Sequence, residues 1–195
     1  MALCLLVRHA THDLVDEILC GRSTAAPLSD LGARQALQLV EALKSSPVER
    51  IQSSPQQRAI ATASPLCRAR RLPLEICAPL DEVEFGRWSG KQFRDLEADQ
   101  GWQRWNTDRT RACTPAGDCM AAVQRRIVSH LQRAGRAWGQ TIVMFTHAEV
   151  IRAAVLHCRG EPLDAWHAID IAPASHVVIR ANFDETLILD QRLAA

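Results

Sequence analysis

Two histidines and two arginines occupy positions where a chain can hold side chains rigidly. Arg8 and His9 close one apolar run, after Leu5, Leu6 and Val7, and Thr146 and His147 close another at 142–145. Between them, S-S-P-Q-Q-R-A-I-A-T-A opens a helix at Ser54 and Pro55 and puts Arg58 in its first turn, where proline is tolerated. If the two runs are neighbouring strands, the imidazoles face one another across the strand tips and the guanidiniums converge on them. Imidazole serves as nucleophile, proton carrier or metal ligand near neutral pH, and a planar guanidinium grips two oxygens of an oxyanion at once. The set suits chemistry on an anionic group. A metal set of His9, His12 and Asp13 is the weaker reading, because His9 and His12 fall on opposite faces of an extended chain and no further histidine cluster completes it.

Those positions need a sheet to fix them. Strand-length apolar runs occur at 2–7, 142–145, 177–179 and 187–189, with weaker ones at 50–53 and 74–77. The first two are uninterrupted, as strands covered on both faces are. Ala33, Ala36, Leu37, Val40 and Leu43 recur at helical spacing behind a Ser29 cap, and Pro47 stops the run. A second period runs through Cys119/Met120, Val123, Ile127, Leu131, Ala134 and Trp138 and closes at Gly139. The alternation predicts a three-layer α/β/α fold around a mostly parallel sheet, with reactive residues at the carboxyl ends of strands. Nothing divides residues 1–195, so one domain is expected. The stretch 86–117 breaks the periodicity and carries Trp88, Trp102, Trp105 and several arginines, which reads as a lid inserted on the core. Its tryptophans either wall a pocket or pack the lid.

Composition narrows the partners. With 195 residues, 47% apolar and 23% charged, the chain can bury a core of its own, which excludes a disordered tail or a fibre. A net charge of +1 gives no field to hold a polyanion, so nucleic acid and membrane surfaces are disfavoured. Seven cysteines without a C-x-x-C pair fit neither a disulfide framework nor a zinc ribbon. Reduced thiols in a cytoplasmic protein are expected, and Cys113 and Cys119, beside Pro115 and Gly117 in a loop, receive no role. Arg8 and His9 interrupt the apolar start too early for a signal peptide.

Taken together, the segments resemble the histidine phosphatase superfamily, phosphoglycerate-mutase-like, branch 1. Its signature is R-H-G near the start, S-P-x-x-R-A-x-x-T-A in the middle and a late S-H-G. Here R-H-A, S-P-Q-Q-R-A-I-A-T-A and T-H-A stand in that order, with G-R-S-T-A-A-P-L-S-D-L-G at 21–32 and L-D-E-V-E-F-G-R-W-S-G at 80–90 as further matches. The resemblance implies that His9 is the nucleophile and becomes phosphohistidine. It implies that Arg8, Arg58 and His147 hold the phosphoryl oxygens in place of a metal, and that Glu82 is the proton donor. No cofactor is implied. Phosphomonoester hydrolysis needs an in-line nucleophile, a cradle for the equatorial oxygens and an acid for the leaving alkoxide, and these residue types supply all three. Asp81 and Glu84 rival Glu82, and Glu84 shares its face if the stretch is extended. Arg22 reaches the phosphate or the substrate's far end, or is a surface arginine. Ser175 resembles a position near the pocket, though a hydroxyl at a strand start needs no function.

The chain departs from the family pattern at Ala10 for Gly, Thr11 for Glu, Ser89 for Glu, and Ala148–Glu149 where Gly-Gly often follows the histidine. A Glu149 carboxylate pointing inward would repel an anionic substrate. The resemblance favours a metal-independent phosphatase for a small phosphorylated metabolite over a phosphoglycerate mutase, whose family members are longer. Phosphohistidine-protein phosphatases share R-H-A but lack much of a lid. A noncatalytic phosphate-binding module on the same fold is the rival from another class, opposed by retention of the histidines, arginines and acid. The substrate and the oligomeric state, a homodimer included, are left open.

Overall fold

The computed structural model describes residues 1–22, 26–184 and 187–194. In chain order the elements are β1 (Ala2–Arg8), α1 (Asp30–Ala42), β2 (Val48–Ser53), α2 (Gln57–Arg70), β3 (Leu74–Ile76), α3 (Phe93–Leu96), α4 (Gln100–Thr107), α5 (Met120–Ala134), β4 (Thr141–Thr146), α6 (Ala148–Arg159), β5 (His176–Ala181) and β6 (Leu187–Ala194). The strands form one six-stranded sheet in the order β3-β2-β4-β1-β5-β6. β1 runs parallel to β4, and β2 runs parallel to both β4 and β3. β5 is antiparallel to both of its neighbours. The sheet is therefore mostly parallel, as the sequence pattern predicts.

Alternation along the strands sorts the core into two layers, because successive side chains leave a strand on opposite faces. Cys4 and Leu6 of β1 and Ile142 and Met144 of β4 pack with α5 and α6 residues such as Ile127 and Ile151. Leu5, Val7, Val143 and Phe145 turn the other way, onto Leu39 of α1 and Ala63 and Leu66 of α2. Full burial of each large apolar side chain stabilises by about 1.5–3 kcal/mol. Ser29 caps α1 as expected, its hydroxyl accepting the Gly32 N–H at 3.1 Å.

Three expectations are corrected. Leu37 belongs to the helical period but is 59% exposed, since α1 buries only the stripe that meets α2 and the sheet. The second helix ends at Ala134 rather than near Gly139, and Trp138 is 76% exposed. Cys113 and Cys119 are not reduced thiols: they are bonded to one another, brought together by an antiparallel bridge between their backbones. No helix among the described residues is long and apolar enough to cross a membrane.

Trp88, Leu96, Trp105 and Ala112 of the 86–117 stretch are buried in the same cluster as the α5 and α6 residues. Phe85, Trp88, Trp102 and Trp105 meet edge to face, with centroids 5.4–6.3 Å apart. Trp102 and Trp105 also line a cavity, and Trp88, in edge-to-face contact with both, does not.

Candidate active site

The parallel pairing of β1 and β4 sets Arg8 opposite Thr146, so the residues that follow, His9 and His147, emerge side by side from adjacent strand tips. Their ring centroids are 5.2 Å apart. His9 is 4% exposed, Arg58 2% and His147 0%, and burial is the main cause that holds both imidazoles well below their ordinary pKa. The His9 Nδ1–H donates to the Ala10 carbonyl at 2.9 Å, which fixes the tautomer and leaves Nε2 with its lone pair. Burial and then the nearby Arg58 charge hold the His9 imidazole well below its ordinary pKa, against the smaller opposing effect of the Ala10 bond. A neutral nitrogen with a free lone pair is what a nucleophile requires.

Arg58 is anchored by its Nη2, which donates to the Gly21 carbonyl at 2.8 Å and to His147 Nδ1 at 3.2 Å. Gly21 has φ +54°, and a Cβ there would stand 2.9 Å from Ser89 Oγ, so the turn that offers this carbonyl requires glycine. Because Nδ1 of His147 accepts, its Nε2 carries the proton and donates to Ser54 Oγ at 2.8 Å. Thr62 ties the layers together, accepting from the Ala10 N–H and donating to the Arg58 carbonyl. Nε of Arg8 and Nε of Arg58 are buried with no partner among the described residues. Buried donors are ordinarily satisfied, so these two N–H groups mark a place for acceptor oxygens.

The three carboxylates have different surroundings. Asp81 accepts from Gln56 Nε2 at 2.8 Å and from the Ser54 hydroxyl at 3.3 Å, lies 3.4 Å from Arg22, and does not line the cavity. Glu84 accepts its near neighbour, the Gly86 N–H. Only Glu82 of the three lines the cavity, with Oε2 3.5 Å from His147 Nδ1. Burial pushes its carboxyl up to about 7, outweighing the pull of Arg58. The segment 81–85 belongs to no helix or strand, and Glu82 lines the cavity while Glu84 does not.

The cavity encloses about 510 Å³ and is lined at its inner end by Arg8, His9, Arg58 and Glu82. His147 is not among its lining residues and stands behind Arg58 and Glu82. Arg22 and Ser175 do not line it either. Arg22 is engaged with the Glu82 carbonyl at 2.8 Å and Asp118 at 2.7 Å. The Ser175 hydroxyl donates to the Ala172 carbonyl, while its own carbonyl accepts the Arg8 N–H.

Sequence reasoning missed several wall residues. His12 stacks on His9 with centroids 5.3 Å apart, since the chain leaves its extended path after β1; the opposite-face expectation is thus corrected. Glu149 lines the cavity, yet its carboxylate is taken up by Arg152 Nη1 at 2.7 Å and by a short bond from Arg109, so it presents no free charge to an anion. Arg109 is 4% exposed and lies 3.6 Å over the Trp166 ring, a cation–π contact. No spacing signal marks Arg109, which sits in the aperiodic stretch. Glu149 was visible only as a departure from pattern.

A strand-tip histidine pair, an arginine at a helix start and a buried carboxyl with a raised pKa, beside a six-stranded α/β sheet, define a class. The family model described as the histidine phosphatase superfamily (branch 1) matches residues 4–192, and the chain belongs to that family of phosphomonoester hydrolases. Among curated proteins, phosphoserine phosphatase 1 of Hydrogenobacter thermophilus is 26% identical over 192 residues, covering 97% of this chain and 91% of that one. The adenosylcobalamin/alpha-ribazole phosphatase of Escherichia coli is 28% identical over 193 residues, covering 96% and 95%. Among solved structures, Bacillus stearothermophilus YhfR superposes with a TM-score of 0.91 at 22% identity, covering 100% of this chain and 98% of that one, a likeness of fold. Both curated relatives are phosphatases, not mutases.

Proposed function

We propose that the chain is a metal-independent phosphatase for a small phosphorylated metabolite, working through phosphohistidine at His9 as one domain whose 86–117 stretch walls the substrate. One observation carries this reading. A single cavity joins a buried neutral imidazole with a free Nε2, two guanidiniums with unpartnered Nε–H groups, and a carboxyl whose pKa is about 7. Nε2 of His9 attacks phosphorus in line, forming the P–N bond as the ester P–O bond breaks, and Glu82 gives its proton to the departing alkoxide. Water then attacks phosphorus, Glu82 takes a proton back, and the P–N bond breaks to release inorganic phosphate. Arg8 and Arg58 spread the charge of the equatorial oxygens, a task that needs donors already in place. His147 accepts from Arg58 and lies against Glu82 from behind the cavity wall, so its part is to position those two rather than to hold phosphoryl oxygens as the sequence reading expects. The two curated relatives, matched over nearly their full lengths, are named for phosphoserine and alpha-ribazole substrates, which supports a small monoester.

Purified protein assayed in excess EDTA against a panel of phosphorylated metabolites is expected to release inorganic phosphate from at least one small monoester. Release from none would leave a phosphate-binding module, and activity restored only by Zn²⁺ or Mn²⁺ would overturn the metal-free reading. Net isomerisation of phosphoglycerates outpacing phosphate release would make the chain a mutase. Preference for phosphohistidine on protein over every small ester would favour the protein-phosphatase alternative.

Arg58→Lys keeps the charge but removes the planar fork, so one ammonium cannot reach Gly21, His147 and the substrate together. Its kcat/KM is expected to fall on the order of 10²-fold, as when one donor of a preorganised oxyanion site is lost. A near-native value would place Arg58 outside the reaction.

A further inference from the structure

The loop 113–119 contributes no lining residue to the cavity, yet it supports the segment that bears Glu82. Its ends are joined by the Cys113–Cys119 disulfide, six residues apart in sequence. The Asp118 N–H donates to the Glu84 carbonyl at 2.8 Å, and the Thr114 hydroxyl donates to the same oxygen at 2.7 Å. Asp118 Oδ2 accepts the Glu84 N–H at 3.0 Å and Arg22 Nη2 at 2.7 Å. Arg22 then donates from Nε to the carbonyl of Glu82 itself at 2.8 Å, beside a 3.0 Å bond from Arg126. The approach is tight: a Cβ on Gly117 would lie 2.0 Å from the Glu84 oxygen. Since 81–85 has no helix or strand ladder to satisfy its backbone, this loop supplies the partners.

We propose that the Arg22–Asp118 pair and the disulfide-closed loop are the positioning device for the proton donor. They fix the Glu82 backbone, and so its carboxyl, against the leaving-group oxygen without touching the phosphoryl group. The cross-link restricts the loop, which keeps Asp118 where both Glu84 and Arg22 can reach it. The proposal rests on Glu82 being the acid. A general acid must sit within hydrogen-bond reach of the atom it protonates, and a misplacement of about 1 Å can cost ~10²-fold. Disturbing the loop therefore harms substrates that need the proton and spares those that do not.

The test compares Asp118→Asn and the double variant Cys113→Ser/Cys119→Ser with the parent protein on an alkyl phosphate and on nitrophenyl phosphate, with Glu82→Gln alongside. For both loop variants kcat/KM on the alkyl ester is expected to drop roughly 10-fold or more, and on the nitrophenyl ester to stay within about 2-fold. Equal losses on the two esters would mean a merely structural loop and would overturn the proposal, as would no loss on either. If the double variant does not fold, the parent protein treated with a small dithiol serves instead. There the dithiol closes to its cyclic disulfide while the Cys113–Cys119 bond takes up two electrons and two protons, and the same split is expected. If Glu82→Gln itself shows no dependence on the leaving group, the acid assignment fails and the proposal with it. If Glu82→Gln shows the dependence and the loop variants do not, the positioning proposal alone fails.

Discussion

Replacing His9 by alanine is expected to lower turnover of every phosphomonoester by at least ~10⁴-fold, the scale on which loss of a covalent nucleophile is felt. The imidazole is buried, neutral and pinned through Nδ1, so no other group in the cavity offers an unprotonated nitrogen in the same place. His12 is the nearest rival, with its ring stacked on that of His9 and burial lowering its pKa to about 4. The decisive measurement is the covalent intermediate. Parent protein quenched during turnover should carry acid-labile phosphate, located at His9 by mass spectrometry, and His9→Ala should carry none. Phosphate persisting in His9→Ala would end the assignment and move it to His12.

For Glu82→Gln the loss is expected to depend on what leaves. An alkoxide cannot depart without a proton, so kcat/KM for an alkyl phosphate should fall ~10²–10⁴-fold, the range general acids contribute. Nitrophenolate leaves unassisted, so phosphorylation of His9 by its ester should survive, and the phosphoenzyme should accumulate because the carboxylate that activates water is gone. Acid dependence follows with a definite sign. The Glu82 pKa is raised to about 7, so the proton-bearing form is present below that pH and lost as pH rises through it. In the parent protein kcat/KM for the alkyl ester should therefore decline above about pH 7, and the variant should lack that limb. His9, held well below its ordinary pKa, keeps its lone pair down to clearly acidic pH. Equal losses on both esters, or an unchanged alkaline limb in the variant, would pass the acid role to another group.

Much of the site is legible because its residues sit at the ends of regular elements. Arg8, His9 and His147 follow uninterrupted apolar runs of strand length, and Arg58 lies in the first turn of the helix that begins just after Ser54–Pro55. The surroundings are less legible. Arg109 lies on no periodic face, and what makes it part of the wall is Trp166, from a short 3-10 helix 57 residues further along the chain. Cysteine counting missed the Cys113–Cys119 bond because an odd total and absent C-x-x-C spacing say nothing about a local bridge that folding brings together.

The sequence alone determined the layered α/β fold, the parallel core of the sheet and the convergence of Arg8, His9, Arg58 and His147, since all of these rest on short-range periodicity and on groups at element ends. Tertiary structure decided which carboxylate lies against His147 and lines the cavity, and burial there raises its pKa. It also turned Arg22 from a candidate phosphate ligand into a brace on the Glu82 carbonyl, and neutralised Glu149 between two arginines. Such outcomes depend on burial and on partners far along the chain: Arg22 meets Asp118 across 96 residues, and Arg58 meets His147 across 89. A carboxyl's pKa is a property of the dielectric and charges around it, which no local pattern records.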